Sequence, residues 1–88
     1  MATFVTPAPE NKYFHIAPGK GTFTKAEIEK YVGPEAEQIT LLSDDIIIAI
    51  KDNHLQQHGY NDLASTLTRR KIYGPILKVE PQELDNAV

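Results

Sequence analysis

The chain contains no cysteine. Disulfide staples are therefore excluded, and with them the secreted mini-protein class whose folds depend on such bridges. Long hydrophobic runs are missing too. The longest, Ile46 to Ile50, falls far short of the length that a bilayer-spanning helix requires. The first seven residues hold no basic stretch leading into an apolar run, so no signal peptide is expected and the expected location is the cytoplasm. Excess positive charge is absent as well. A formal net charge of −3 argues against bulk electrostatic attraction to nucleic acid, although a local basic patch is compatible with it. There is no internal repeat and no low-complexity tract.

What is present fits one small globular domain. The 88 residues are 41% apolar and 24% charged, the ordinary range for a folded soluble domain. A domain of this size buries only about 60–65% of its unfolded surface. Its core alone supplies roughly 3–5 kcal/mol of net stability. With disulfides excluded and no ligand cluster for a structural metal, self-association is the remaining common remedy, and a homo-oligomer is expected.

Hydrophobic period and turn chemistry divide the chain. Residues 1–11 carry Pro7 and Pro9 and few large apolar groups, and read as a flexible arm. Residues 12–17 alternate, with Tyr13, His15 and Ala17 on one face and Phe14 and Ile16 on the other, which predicts a short strand. The run Pro18-Gly19-Lys20-Gly21 is turn chemistry. A helix over 24–32 follows. Thr24 and Glu27 have capping-box spacing, Phe23 and Ile28 suit a hydrophobic staple, and Gly33-Pro34 closes the element. Residues 36–42 and 45–51 read as a β-hairpin turning at Ser43-Asp44, the second strand being covered on both faces. Asn61 caps a second helix with Leu63, Ala64 and Leu67 as its apolar stripe. Residues 72–79 make a last strand, which Pro75 assigns to an edge or a bulge. Residues 81–88 are an acidic tail with at most one helical turn.

The resulting order is β-α-β-β-α-β within residues 12–80. It predicts an α+β fold with a mainly antiparallel sheet. Two forms suit the order: a ferredoxin-like sandwich with both helices on one face, and a looser roll.

Each near-motif for chemistry fails on spacing or geometry. In Ala17-Pro18-Gly19-Lys20-Gly21-Thr22 the lysine precedes the second glycine, so the Walker A spacing is broken. His54 and His58 are four residues apart, but Gly59 and the polar start at Asp52-Asn53 oppose a helix there, and no further ligand completes a metal site. Asp44 and Asp45 are adjacent, so their carboxylates point apart instead of converging on one group. No serine or threonine has a basic partner at diagnostic spacing. The reading is a protein that is not an enzyme and uses no cofactor and no metal. The strongest positive cluster is Arg69-Arg70-Lys71, followed by Tyr73. It caps the second helix or meets an anionic partner, with Tyr60 adding a stacking surface if the two rings lie close. Lys20, Tyr60, Asn61, Arg69, Arg70, Lys71 and Tyr73 are the candidate ligand- or partner-binding residues.

Several stretches carry a resemblance. They are Tyr31-Val32-Gly33-Pro34, the hairpin 38–51, Lys51-Asp52-Asn53 with Tyr60-Asn61-Asp62-Leu63-Ala64, and Ile72-Tyr73-Gly74-Pro75-Ile76-Leu77. Over roughly residues 14–80 the chain resembles a family of small domains of unknown function encoded mainly by bacteriophages and bacterial mobile elements. It departs from that pattern at Pro34, where a second glycine is usual, and it lacks the Asn-Glu-Glu loop. No catalytic residues come with the resemblance. It implies a phage accessory factor in the host cytoplasm that binds a host component, such as a defence protein, and inhibits or sequesters it. Two alternatives come from other classes. One is an oligomeric sponge for a nucleotide or small anion, and the other is a nucleic-acid-binding regulator.

Overall fold

A computed structural model describes residues 2–17, 19, 21–51, 53–56 and 58–84. Five strands form one antiparallel sheet in the order β2-β1-β5-β4-β3. They are β1 (Ala2–Val5), β2 (Tyr13–Ile16), β3 (Glu37–Thr40), β4 (Ile46–Ala49) and β5 (Ile76–Val79). Helix α1 (Lys25–Tyr31) lies between β2 and β3 in the chain, and α2 (Asp62–Thr68) between β4 and β5. The α+β class and the order β-α-β-β-α-β from β2 onward are those expected. The element before them is new.

Residues 2–5 are not an arm. They form the second strand of the sheet, with Phe4 opposite both Phe14 of β2 and Leu77 of β5. Alternation explains the burial: Ala2 and Phe4 face one side, Thr3 and Val5 the other, and Ala2 and Val5 are fully buried. Pro7 and Pro9 lie beyond the ladder in the connection to β2, so they do not interrupt it.

Side-chain parity also decides between the two layouts. Leu77 and Val79 share one sheet face with Ile48 and Ala2, and α1 packs there through Ile28 and Val32. Ile76, Ile47, Ala49 and Val5 share the opposite face, where α2 packs through Ala64. The helices therefore sit on opposite faces, and every strand pair among the described residues is antiparallel. The ferredoxin-like layout, with both helices on one side, is not formed. Two short helices cover two small cores in its place.

Local chemistry sets the element ends. The Thr24 side chain accepts from the Glu27 N–H at 3.2 Å, and Glu27 Oε1 accepts from the Thr24 N–H at 3.1 Å, completing the capping box. Phe23 and Ile28 meet in the α1 core. Gly33 leaves the helix at φ +127, which a residue with a Cβ rarely adopts. The β3–β4 hairpin pairs Thr40 with Ile46, and Asp44 takes φ +73 in its turn. Pro75 precedes the last strand and does not enter it. β5 begins at Ile76 and is the middle strand of five, so Pro75 marks neither an edge nor a bulge. Within the expected acidic tail, Pro81–Glu83 form one 3-10 turn. The Phe23 N–H donates to the Glu83 carbonyl at 2.6 Å and Leu84 bridges Phe23, so this turn is docked on the fold; residues 85–88 lie outside the described residues.

Candidate binding cleft

The seven candidate residues separate into different environments. Asn61 is fully buried. Its Oδ1 accepts from the Ala64 N–H at 3.1 Å, capping α2. Its Nδ2 donates to the Gly74 carbonyl at 2.9 Å and to the Val5 carbonyl at 3.3 Å. The side chain thus ties α2, β1 and the approach to β5 together, and it offers nothing to a ligand. Lys20 lies outside the described residues.

Tyr60 and Tyr73 are brought together. They form an isolated antiparallel bridge, and their rings meet edge to face with centroids 5.5 Å apart. The edge of one ring meets the face of the other, so the two are not set parallel as a stacking platform.

The three basic residues diverge. α2 ends at Thr68, immediately before the cluster, so the cations lie past the last helical turn. Arg69 adopts a left-handed conformation, φ +58, that turns the chain away from the helix axis. Arg70 reaches across to β3, where its Nη2 donates to Glu37 Oε1 at 2.6 Å. The same oxygen accepts from Nδ2 of the buried Asn53 at 2.7 Å. Asn53 also donates to the Ile50 carbonyl, and its own carbonyl accepts from the Tyr73 N–H at 2.7 Å. Arg70 is therefore part of a structural network joining β3, the 53–56 turn and the start of the last segment. Arg69 and Lys71 remain exposed.

Arg69 borders a feature that the sequence reading did not single out. A cleft of about 440 Å³ lies between the tip of the β3–β4 hairpin and the last turn of α2, lined by Leu41, Leu42, Thr66, Leu67 and Arg69. Leu42 is 95% exposed and Leu67 36%. The turn geometry accounts for Leu42. The Leu41 N–H donates to the Asp45 carbonyl at 2.8 Å, and the Asp44 N–H to the Leu41 carbonyl at 3.0 Å, closing a tight corner with Leu42 on its outside. The available signal was compositional: two leucines precede Ser43 at a position where hairpin tips are normally polar.

The other near-motifs resolve as follows. The Gly19 N–H donates to Glu27 Oε2 at 3.2 Å, so a protein carboxylate occupies the donor that an anion would have used. Asp45 pairs with Lys78 at 3.3 Å, whereas Asp44 stays exposed on the turn. His54 and His58 are exposed and lie outside any helix. Among the described residues no group of three or more His, Cys, Asp or Glu is placed to hold a metal ion, and no helix is long and apolar enough to cross a membrane. No protein-family model, curated protein or solved structure matches the chain.

Proposed function

We propose that this chain is a small accessory binding protein of phage type that inhibits or sequesters a component of its bacterial host. The binding surface in this reading is the cleft between the β3–β4 hairpin and α2. The observation that carries it is Leu42. Leaving a large apolar side chain 95% exposed is unfavourable in the free protein, and a partner that covers it gains the free energy of removing it from water. Leu67 extends the apolar floor, and Arg69 supplies a cation at the rim. The matching partner surface is a projecting apolar side chain flanked by a carboxylate, the arrangement of a small hot spot with a charged border.

The test uses the whole chain and a Leu42→Glu variant as baits in lysate of the bacterial host. Leu42 makes no core contact, so the variant should melt at the wild-type temperature. The wild type should retain a partner in stoichiometric amount, and the variant should lose it. Equal retention by both baits, or none by either, would refute the cleft as the binding surface.

The anion-sponge alternative draws on exposed Arg69 and Lys71, but Arg70 already carries a carboxylate and the Gly19 N–H is occupied. A nucleotide at about 100 times its Kd should stabilise the fold by about 2.7 kcal/mol, which a thermal-shift panel reads directly. From the basic cluster the nucleic-acid alternative draws on the same two cations, in a chain of net charge −3.

A further inference from the structure

β2 is an edge strand whose four residues, Tyr13-Phe14-His15-Ile16, include no acid, lysine, arginine or proline. Exposed edges are usually protected by such residues, by a bulge or by a covering segment. Here Tyr13 is 57% and Phe14 47% exposed. The direction of the free backbone groups follows from the ladder. The Thr6 N–H donates to the Lys12 carbonyl at 2.9 Å, in register with the β1–β2 pairing. Antiparallel bonding alternates, so residues 12, 14 and 16 turn their N–H and C=O toward β1, and Tyr13 and His15 turn theirs outward.

From this edge we infer that the protein forms a homodimer in which β2 pairs antiparallel with β2 of a second copy, joining two five-stranded sheets into one of ten. This surface is on the opposite edge of the sheet from the cleft proposed above and does not depend on it. The symmetry of such a pair restricts the register. A two-fold axis normal to the sheet keeps each face continuous, so residues of like parity must lie opposite one another. The register that centres the strand sets Phe14 opposite Phe14 of the second copy, and Tyr13 opposite its His15. The outward groups of Tyr13 and His15 then bond reciprocally in the two hydrogen-bonded pairs. A shift by two residues would set His15 against His15 and would move the aromatic pair out of alignment.

A second copy, rather than an unrelated extended peptide, is favoured by the row of rings on the α1 face. Tyr31 packs on Phe4 with centroids 5.3 Å apart, and Phe4 on Phe14 at 6.3 Å. The row stops at the sheet edge with Phe14 half-exposed. The same row reversed by the two-fold axis continues it without a gap, giving six rings across the joint. No like charges meet in this register, since Lys12 falls opposite Ile16.

Sedimentation equilibrium of the full chain, from low-micromolar to near-millimolar concentration, should give twice the chain mass at the upper end. Tyr13→Lys should return it to the monomer with unchanged far-UV circular dichroism. Because the chain has no cysteine, Phe14→Cys reports the register directly. Opposed residues in a non-hydrogen-bonded pair have Cα atoms about 4.5 Å apart, within the range that a disulfide spans. Phe14→Cys should cross-link to dimer under mild oxidation, and Thr40→Cys, on the other edge, should not. If Phe14→Cys melts early, a mixture of Tyr13→Cys and His15→Cys chains replaces it, with the mixed disulfide expected. A monomer at every concentration would overturn the inference. So would a dimer that survives Tyr13→Lys, or one that cross-links no faster at the β2 edge than at Thr40→Cys.

Discussion

Asn61 shows how a polar residue can be both conspicuous in a sequence and unavailable at the surface. Its cap to Ala64 spans three residues and follows from local spacing. Its bonds to Val5 and Gly74 arise only when distant segments meet. Asn61→Ala removes the cap, worth about 1 kcal/mol, and takes from the buried Gly74 carbonyl its Asn61 donor, at about 1–3 kcal/mol. Urea unfolding should therefore show a loss of about 2–4 kcal/mol. Asn61→Asp should be no better, because it preserves the cap acceptor but directs a carboxylate at two carbonyl oxygens. Arg70→Ala makes a useful contrast. The Arg70–Glu37 pair is roughly half-exposed on both sides, so its loss should cost less than about 1 kcal/mol by the same measurement. Gly59 is a third case. A Cβ there would collide with the Ala8 carbonyl oxygen, a backbone atom that cannot swing aside. Gly59→Ala should therefore cost more than about 2 kcal/mol.

Among the elements, the legible ones are those specified within a few residues. The capping box at Thr24, the cap at Asn61, the Gly33 exit and the β3–β4 hairpin all rest on contacts at short sequence separation. β1 does not. Ala2-Thr3-Phe4-Val5 is too short to show a period, and its neighbours Pro7 and Pro9 suggest irregular chain. It is a strand because β2 and β5 occupy both of its edges. The layout of the helices was out of reach for the same reason, since β-α-β-β-α-β order alone does not state on which face each helix lies. The candidate site divides in the same way. Tyr60 and Tyr73 were named together on the condition that their rings lie close; the rings do meet, but edge to face. The partner that takes Arg70, Glu37, is 33 residues distant in sequence. A chain lacking residues 1–11 tests the account of β1. It loses the burial of Val5, about 1.5–3 kcal/mol, and one ladder of β5. Since a domain of this size holds only about 3–5 kcal/mol in all, the truncated chain should lose cooperative unfolding by circular dichroism.

At the scale of the molecule, β5 joins two otherwise separate hairpins, β1–β2 and β3–β4. Both helical layers depend on it as well, because Leu77 and Val79 face α1 while Ile76 faces α2. The two cores should therefore melt as one unit. Thermal unfolding followed by tyrosine fluorescence and by circular dichroism should give coincident transitions, and β1 amides should exchange with hydrogen only through global opening. A separate early transition of either hairpin would contradict this.

The position of that strand also has a consequence during synthesis. Among the five described strands β5 is the last to leave the ribosome, yet it is the one that joins the two hairpins. Until residue 79 has emerged, the nascent chain holds two hairpins with no common neighbour, and Ile47, Ile48 and Val5 have no finished layer to enter. The sheet therefore completes itself only after residue 79 has been translated. Throughout that interval its unpaired strands are open to chaperones, to proteases and to the nascent chains of adjacent ribosomes on the same message.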